Sequence, residues 1–133
     1  GDSAFQNCSN LKVVDFPNAT SIGQSAFNAC SALTSVDAPN VTSVKYGAFQ
    51  NCSELQSIKL PKVTTIEGYA FYKCPKCLEY DFSGCTAVPT LKSATTSFQD
   101  INSKAKIKVP AALYDEWVTA TNWTTYAKYI VAV

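Results

Sequence analysis

Apolar residues recur every 22 positions along most of this 133-residue chain. Four phenylalanines mark the period, each preceded by alanine and followed three residues later by cysteine: Phe5, Phe27, Phe49 and Phe71. Further apolar slots keep the same register through four units. A fixed period in the low twenties predicts a solenoid, because one such unit cannot bury its apolar face alone and must stack it on the next unit.

Each unit contains two short extended segments. In residues 11–16 apolar and polar side chains alternate with a period of two, which predicts a strand. Pro17 follows and ends this strand, since proline has no amide hydrogen to donate. A second extended piece is predicted at residues 20–22. Stacked units then give a parallel sheet, and 22 residues leave room on the other side for irregular chain or one helical turn.

The regular spacing stops after Val88, which we interpret as the apolar slot that closes the fourth unit. The next phenylalanine, Phe98, arrives five residues late, and Ile107 and Pro110 then stand at the offsets expected from it. We therefore predict a degenerate fifth turn over residues 89–110, with an insertion near 89–97.

The last residues leave the repeat altogether. Leu113, Trp117 and Ala120 are spaced by four and three residues, which predicts one face of a helix, and residues 123–130 predict a second short helical or irregular piece. Both tryptophans of the chain lie here. We predict a solenoid over residues 1–110 and a helical, aromatic cap over 111–133 that covers the last sheet edge.

These units resemble the BspA-like leucine-rich repeat family, whose unit reads approximately A-F-x-x-C-x-x-L-x-x-[VI]-x-[LIF]-P-x-[AV]-T-x-[IV]-G. Here the stretches AFQNCSNLKVVDFPNATSIG and AFQNCSELQSIKLPKVTTIEG carry it, and the end, KIKVPAALYDEWVTATNWTTYAKYI, resembles that family's closing segment. The resemblance implies an α/β-type, right-handed leucine-rich repeat solenoid of about five turns, with little helix outside the cap. It also implies a secreted or cell-surface protein, of bacterial type, that binds extracellular proteins and is not an enzyme.

The composition narrows the function class. Eleven basic and ten acidic residues are spread along the chain, so no basic surface for nucleic acid or an anionic membrane is expected. No apolar run is long enough to span a bilayer. Histidine, the commonest proton-transfer residue near neutral pH, is absent. We predict neither an enzyme nor a metal or cofactor site.

The six cysteines invite other interpretations, because Cys74 and Cys77 form a C-x-x-C pair. A redox dithiol would need a helix N-terminus, and a structural zinc ion would need four ligands, whereas only Cys85 lies nearby. We interpret the cysteines as buried apolar side chains that fill repeated slots. A bridge between Cys77 and Cys85 is the alternative.

Function is expected at the strand positions that vary between units, because their side chains project outward. Asp15 and Asp37 lie on adjacent predicted strands, but without histidine or a pocket we interpret them as part of a solvated face and not as catalytic carboxylates. Tyr46 and Tyr69 are candidate exposed aromatic residues on another face, with partial burial as the alternative. The predicted partner-binding residues are Asp15, Asp37, Lys59, Asp81, Lys106 and Lys108.

The favoured hypothesis is a non-enzymatic protein-binding module, the C-terminal fragment of an extracellular or cell-surface protein, with a role in adhesion or partner interaction. One alternative is a structural spacer and cap of a longer repeat array. Another is a carbohydrate-binding module that uses Trp117, Trp123 or Tyr126 as a stacking platform. Because the chain begins within a unit, we also expect self-association through an open N-terminal repeat edge.

Overall fold

The computed structural model describes residues 1–133, which form stacked turns with two parallel sheets of short strands. The larger sheet has six strands in the order β1 (Val13–Asp15), β3 (Ser35–Asp37), β5 (Ser57–Lys59), β7 (Glu79–Asp81), β9 (Lys106–Val109) and β10 (Ile130–Ala132). The smaller has four, in the order β2 (Ser21–Ile22), β4 (Ser43–Val44), β6 (Thr65–Ile66) and β8 (Thr90–Leu91). The solenoid and both extended segments of each unit are therefore confirmed.

The repeated phenylalanines form a stack along the interior. Phe49 lies between Phe27 and Phe71, with ring centroids 5.4 and 5.9 Å away and ring planes nearly parallel. The stack continues to Phe98 at one end and to Phe5 at the other. All are buried except Phe5, which is 42% exposed because no turn covers its outer side. The ring separation is close to the spacing of neighbouring strands, so one ring per turn fills the core continuously.

The cysteine slot is also an interior column. The thiols of Cys30, Cys52 and Cys74 each donate a hydrogen bond to the phenylalanine carbonyl of an earlier turn, at 3.0 to 3.2 Å. All six cysteines are unpaired, and Cys77 and Cys85 contact different carbonyl groups. Burial raises the pKa of Cys52 to about 12 and the pKa of Cys77 to about 11. These thiols therefore behave as small apolar side chains.

Thiol labelling of the folded chain at pH 8 should proceed in two phases. Cys8, the only cysteine that is not buried, is expected to react first. The buried five should react only through opening of the fold, because burial raises the pKa of each of these thiols and keeps it away from the reagent. Labelling in denaturant without reductant should count six thiols, and a Cys8→Ser variant should lose the fast phase. A count of four in denaturant would instead indicate a bridge.

The side of the solenoid away from the sheets is built from turns, and no helix occurs before residue 111. Irregular chain on this side was predicted and is confirmed. Next to the four-stranded sheet, the hydroxyl groups of Thr42 and Thr64 donate to the carbonyl groups of Thr20 and Thr42, which forms a ladder from turn to turn.

The fifth turn differs from the prediction. Ile66 pairs with Leu91, which is buried, whereas Val88 is only partly buried, so the closing slot of the fourth unit is Leu91 and not Val88. Leu91 follows Ile66 by 25 residues and Phe98 follows Phe71 by 27, so three inserted residues precede β8 and two follow it. The insertion therefore begins before residue 89, because strand pairing moves the inserted residues into the loops on either side of β8.

The C-terminal segment, residues 111–133, folds into three short elements before β10. They are a 3₁₀-helix (Ala111–Leu113), the helix α1 (Tyr114–Thr119) and a second 3₁₀-helix (Trp123–Tyr129). The helical prediction is confirmed, but the second piece ends at Tyr129 and does not include Ile130. Ile130 begins β10 and pairs with Ile107, because the edge of β9 offers unpaired backbone groups that a strand satisfies.

Side chains of the C-terminal segment end the four-stranded sheet. Within this sheet, the carbonyl groups of Thr64 and Ile66 accept hydrogen bonds from the next strand. The corresponding groups are those of Leu91 on β8 and of Pro89 just before it, and they accept hydrogen bonds from side chains instead. Trp123 Nε1 donates to Pro89 O (2.7 Å) and Asn122 Nδ2 donates to Leu91 O (2.6 Å). Two side-chain donors thus replace the amide groups of a further strand, so this sheet stops while the larger one continues into β10.

Candidate functional site

The predicted partner-binding residues lie together on the outer face of the six-stranded sheet. Strand register aligns five of them in one row, here called the charged row: Asp15, Asp37, Lys59, Asp81 and Lys108. Lys106 lies in the adjacent row, which also contains Val13, Ser35, Ser57 and Glu79. Successive members are about 4.8 Å apart in backbone position, because each belongs to the next strand.

The face is a shallow depression and not a deep pocket. A hollow of about 410 Å³ extends over β1, β3, β5 and β7, and its lining includes Asp15, Asp37 and Lys59. At its open end lies Val13, whose side chain is 63% exposed. Lys106 and Lys108 fall outside the hollow. The surface is therefore shaped for an extended contact.

The charges on this face differ in how far they are already paired. Lys108 Nζ lies 3.0 Å from Glu79 Oε2, and Asp81 Oδ1 accepts hydrogen bonds from the amide and hydroxyl groups of Ser83. Asp15, Asp37, Lys59 and Lys106 make no ion pair within the chain. The sequence predicted six candidate residues, and the structure divides them. Asp81 and Lys108 already have partners within the chain, whereas the other four have no ion pair. We call Asp15, Asp37 and Lys59 the open part of the charged row.

The chemical groups of the face suit recognition. They are carboxylate, ammonium and hydroxyl groups, which form ion pairs and hydrogen bonds with a partner. No set of three His, Cys, Asp or Glu side chains is placed to hold a metal ion. The groups with raised pKa values, such as Cys74 and Tyr80, lie in the interior, where burial disfavours their charged forms.

The aromatic rings considered for carbohydrate stacking are not accessible. Trp117 and Trp123 are fully buried, and Tyr126 is 5% exposed. They pack on one another and on Phe82 and Phe98. A sugar cannot stack on these rings, so that alternative is wrong for these three residues.

Tyr46 and Tyr69 do lie on another face, together with a third residue that the sequence interpretation missed. Tyr46 is 46% exposed and Tyr69 is partly buried, and their ring centroids are 5.2 Å apart. Tyr72 lies 5.3 Å beyond Tyr69. We call these three residues the tyrosine patch. The signal for Tyr72 was its departure from the asparagine and glutamine that hold its slot in earlier units.

The N-terminal end of the solenoid is open. β1 and β2 are the edge strands of their sheets, and an apolar hollow of about 200 Å³ lies there. Its lining includes Phe5, Phe16, Ile22 and Phe27. This is the end at which the core is least covered.

Comparison with known proteins identifies the family of this chain. No curated protein matches the chain significantly. A sequence model for the BspA type leucine rich repeat region (6 copies) matches residues 1–114, which is most of the 133 residues. Leucine-rich repeat modules generally mediate protein interactions and are typically non-catalytic, and the BspA type is commonly surface-associated. None of the helices is long and apolar enough to cross a membrane. The chain therefore belongs to the BspA-type leucine-rich repeat family.

Proposed function

We propose that the chain is a non-enzymatic protein-binding module of an extracellular or cell-surface protein, with a role in adhesion. The observation that carries this proposal is the alignment of variable charged residues on the outer face of the six-stranded sheet. The interior slots repeat because the core must be filled, whereas the outward slots change from turn to turn. Variation in charge that is confined to the outward side suits recognition of a particular partner surface.

Within that face, Asp15, Asp37 and Lys59 are the residues to which we assign most of the recognition. They are exposed and have no ion pair to give up. Lys108 would have to leave Glu79 before pairing with a partner, and Asp81 would have to leave Ser83. A partner therefore gains the most binding free energy by pairing with the open part of the row, next to Val13.

Reversing the three open charges should abolish specific binding. The variant Asp15→Lys/Asp37→Lys/Lys59→Glu is expected to bind at least about tenfold more weakly, because complementary pairs become like-charge contacts. The measurement is surface plasmon resonance against a panel of purified extracellular proteins, starting from whichever protein the unchanged chain binds. The melting temperature should stay nearly the same, since exposed substitutions away from the core alter stability little.

The matched control is Asp100→Lys, which changes the net charge by the same amount at an exposed residue outside the sheet. It should bind like the unchanged chain. Equal binding by the triple variant and the unchanged chain would remove the charged row from the proposal. If the control weakened binding equally, the change in net charge alone would explain the effect.

A second role, as spacer and cap of a repeat array, is favoured by the hydrogen bonds that Asn122 and Trp123 donate to carbonyl groups at β8. We propose that residues 111–133 are the cap and residues 1–110 the array. We also assign self-association, measured by light scattering at rising concentration, to the open end around Phe5 and Phe16. On the spacer proposal alone, the unchanged chain binds no member of the protein panel.

A further inference from the structure

The tyrosine patch lies at slots where the repeat does not require an aromatic residue. The residues that hold the same slots in neighbouring turns are Gln24 and Gly68 for Tyr46, Ser25 and Gly47 for Tyr69, and Asn28 and Gln50 for Tyr72. The turns with Ser25 and Gly47 in the Tyr69 slot are joined to the next turn without a tyrosine there: Ser25 donates to the Tyr46 carbonyl and Gly47 to the Gly68 carbonyl, each at 3.0 Å. The solenoid is thus complete without the three rings.

Tyr69 also adopts a backbone conformation that disfavours a large side chain. Its φ angle is 58°, in the left-handed region, where bulky residues are rare and strained. Gly47 has a φ angle of 62° in the preceding turn, and glycine adopts this conformation freely. Tyr69 therefore costs the fold stability at a position where glycine would cost less, and the exposed aromatic surface is what the chain gains.

The three rings are inclined to one another, so they do not form a flat platform. The planes of Tyr46 and Tyr69 are inclined by 52°, and those of Tyr69 and Tyr72 by 88°. The hydroxyl groups of all three make no hydrogen bond within the chain, whereas that of Tyr126 donates to Ala94. The patch therefore presents inclined apolar ring faces next to hydroxyl groups that are free to donate hydrogen bonds.

Three charged side chains surround the patch, and two of them are paired with each other. Lys45 is paired with Glu67, whose carboxylate also accepts a hydrogen bond from the Tyr46 amide. Lys73 lies over the ring of Tyr72, with its ammonium group 5.1 Å from the ring centroid. The exposed area of three side chains is also far smaller than the roughly 800 Å² that each partner buries in a stable globular interface. Lys73 keeps its positive charge, so the patch fits a short segment that carries no positive charge of its own.

We propose that the tyrosine patch binds an extended, proline-containing segment of a partner protein. A polyproline II segment has no internal hydrogen bonds, so its carbonyl groups are free to accept from the three phenolic hydroxyl groups. Its proline rings pack on the exposed faces of the tyrosine rings, a type of contact also used by aromatic-lined grooves. This site is separate from the charged row and does not depend on the function assigned to that row.

The test is a titration of the folded chain with a ten-residue oligoproline peptide, followed by amide chemical shifts. The expected shifts are confined to residues 45–50 and 67–73, with a weak dissociation constant on the order of 0.1–1 mM for so small a contact. The variants take residues from neighbouring turns: Tyr46→Gln, Tyr69→Gly and Tyr72→Gln. Each should weaken binding at least about fivefold, and the three together should abolish it.

The melting temperature separates a binding role from a structural one. Tyr69→Gly is expected to keep or raise it, because glycine removes the backbone strain. The controls are Tyr114→Gln, outside the patch, and the triple charge variant of the charged row, and both should bind the peptide normally. Because the two sites are tested with different variants, failure of this proposal can be distinguished from failure of the proposal for the charged row.

Four results would overturn the proposal. They are the absence of shifts at 5 mM peptide, equal weakening by Tyr114→Gln, a fall of more than roughly 5 °C in the melting temperature of Tyr69→Gly, and binding of a malto- or cello-oligosaccharide at the patch with no response to oligoproline. The last of these would identify a sugar site instead.

Discussion

Replacing Trp123 with alanine is expected to lower the free energy of unfolding by about 3–5 kcal/mol, the range for a buried tryptophan. Its ring is fully buried and packs against Phe98 and Trp117, with centroids 5.8 and 5.4 Å away. The same side chain supplies a hydrogen-bond donor to Pro89 at the edge of β8. Because domains are stable by only about 5–15 kcal/mol, urea unfolding followed by circular dichroism should reveal a large loss.

A pair of conservative variants isolates the hydrogen bond from the packing. Trp117 is equally buried, but its Nε1 has no hydrogen-bond partner. Trp123→Phe should therefore cost about 1–3 kcal/mol more than Trp117→Phe, because only the first change leaves a buried carbonyl group without its donor. Equal losses for the two variants would contradict the view that Trp123 replaces a backbone amide at the sheet edge.

Phe49→Ala is the second substitution with a large expected effect, again about 3–5 kcal/mol. The ring is stacked on both faces, by Phe27 and Phe71, so its removal leaves a cavity between two turns. Each turn is stabilised mainly by its neighbours, so the loss should weaken the middle of the solenoid. Chemical unfolding of the purified variant measures the change.

Phe5→Ala is the matched control, because Phe5 holds the same slot at the open end. It has a stacked neighbour on one side only, Phe27, and is 42% exposed. The expected loss is about 1 kcal/mol, in proportion to the smaller apolar area that it buries. If the two alanine variants lost equal stability, the continuous stack would not be what stabilises the solenoid.

The regular part of the fold could be predicted from the sequence because a constant period determines the register. When Val14, Val36 and Ile58 are each 22 residues apart, pairing them in line also aligns every other slot. The phenylalanine stack, the cysteine column and the charged row all follow from that one alignment. The six candidate residues therefore lie on one face, as predicted, although their role in binding stays a proposal.

Two features were mispredicted because local spacing left more than one solution. Val88 and Leu91 are both apolar residues near the expected distance from Ile66, and only pairing with β6 selects Leu91. Ile130 fits a helical spacing from Tyr126 as well as it fits a strand. The free edge of β9 decides in favour of the strand, because it satisfies backbone groups that a helix would leave unpaired.

The sequence pattern also could not predict which residues of the charged row are engaged or which residues form the tyrosine patch. The ion pair of Lys108 with Glu79 and the turn contact of Asp81 with Ser83 depend on distances between side chains. The rings of Tyr69 and Tyr72 are in contact only because the turn between them brings them together. Neither relation is written in the repeat, because the repeat constrains buried slots and leaves exposed ones free.

The sequence by itself therefore determined the number of residues in each turn, the buried columns and the strand register, since a strict period admits only one way of stacking successive units. The tertiary structure decided where the five inserted residues lie, how the last sheet edges are satisfied and which exposed side chains are already engaged. These depend on contacts between residues far apart in the chain, such as Trp123 with Pro89. Local spacing carries no information about such contacts, because they arise only once the turns are stacked.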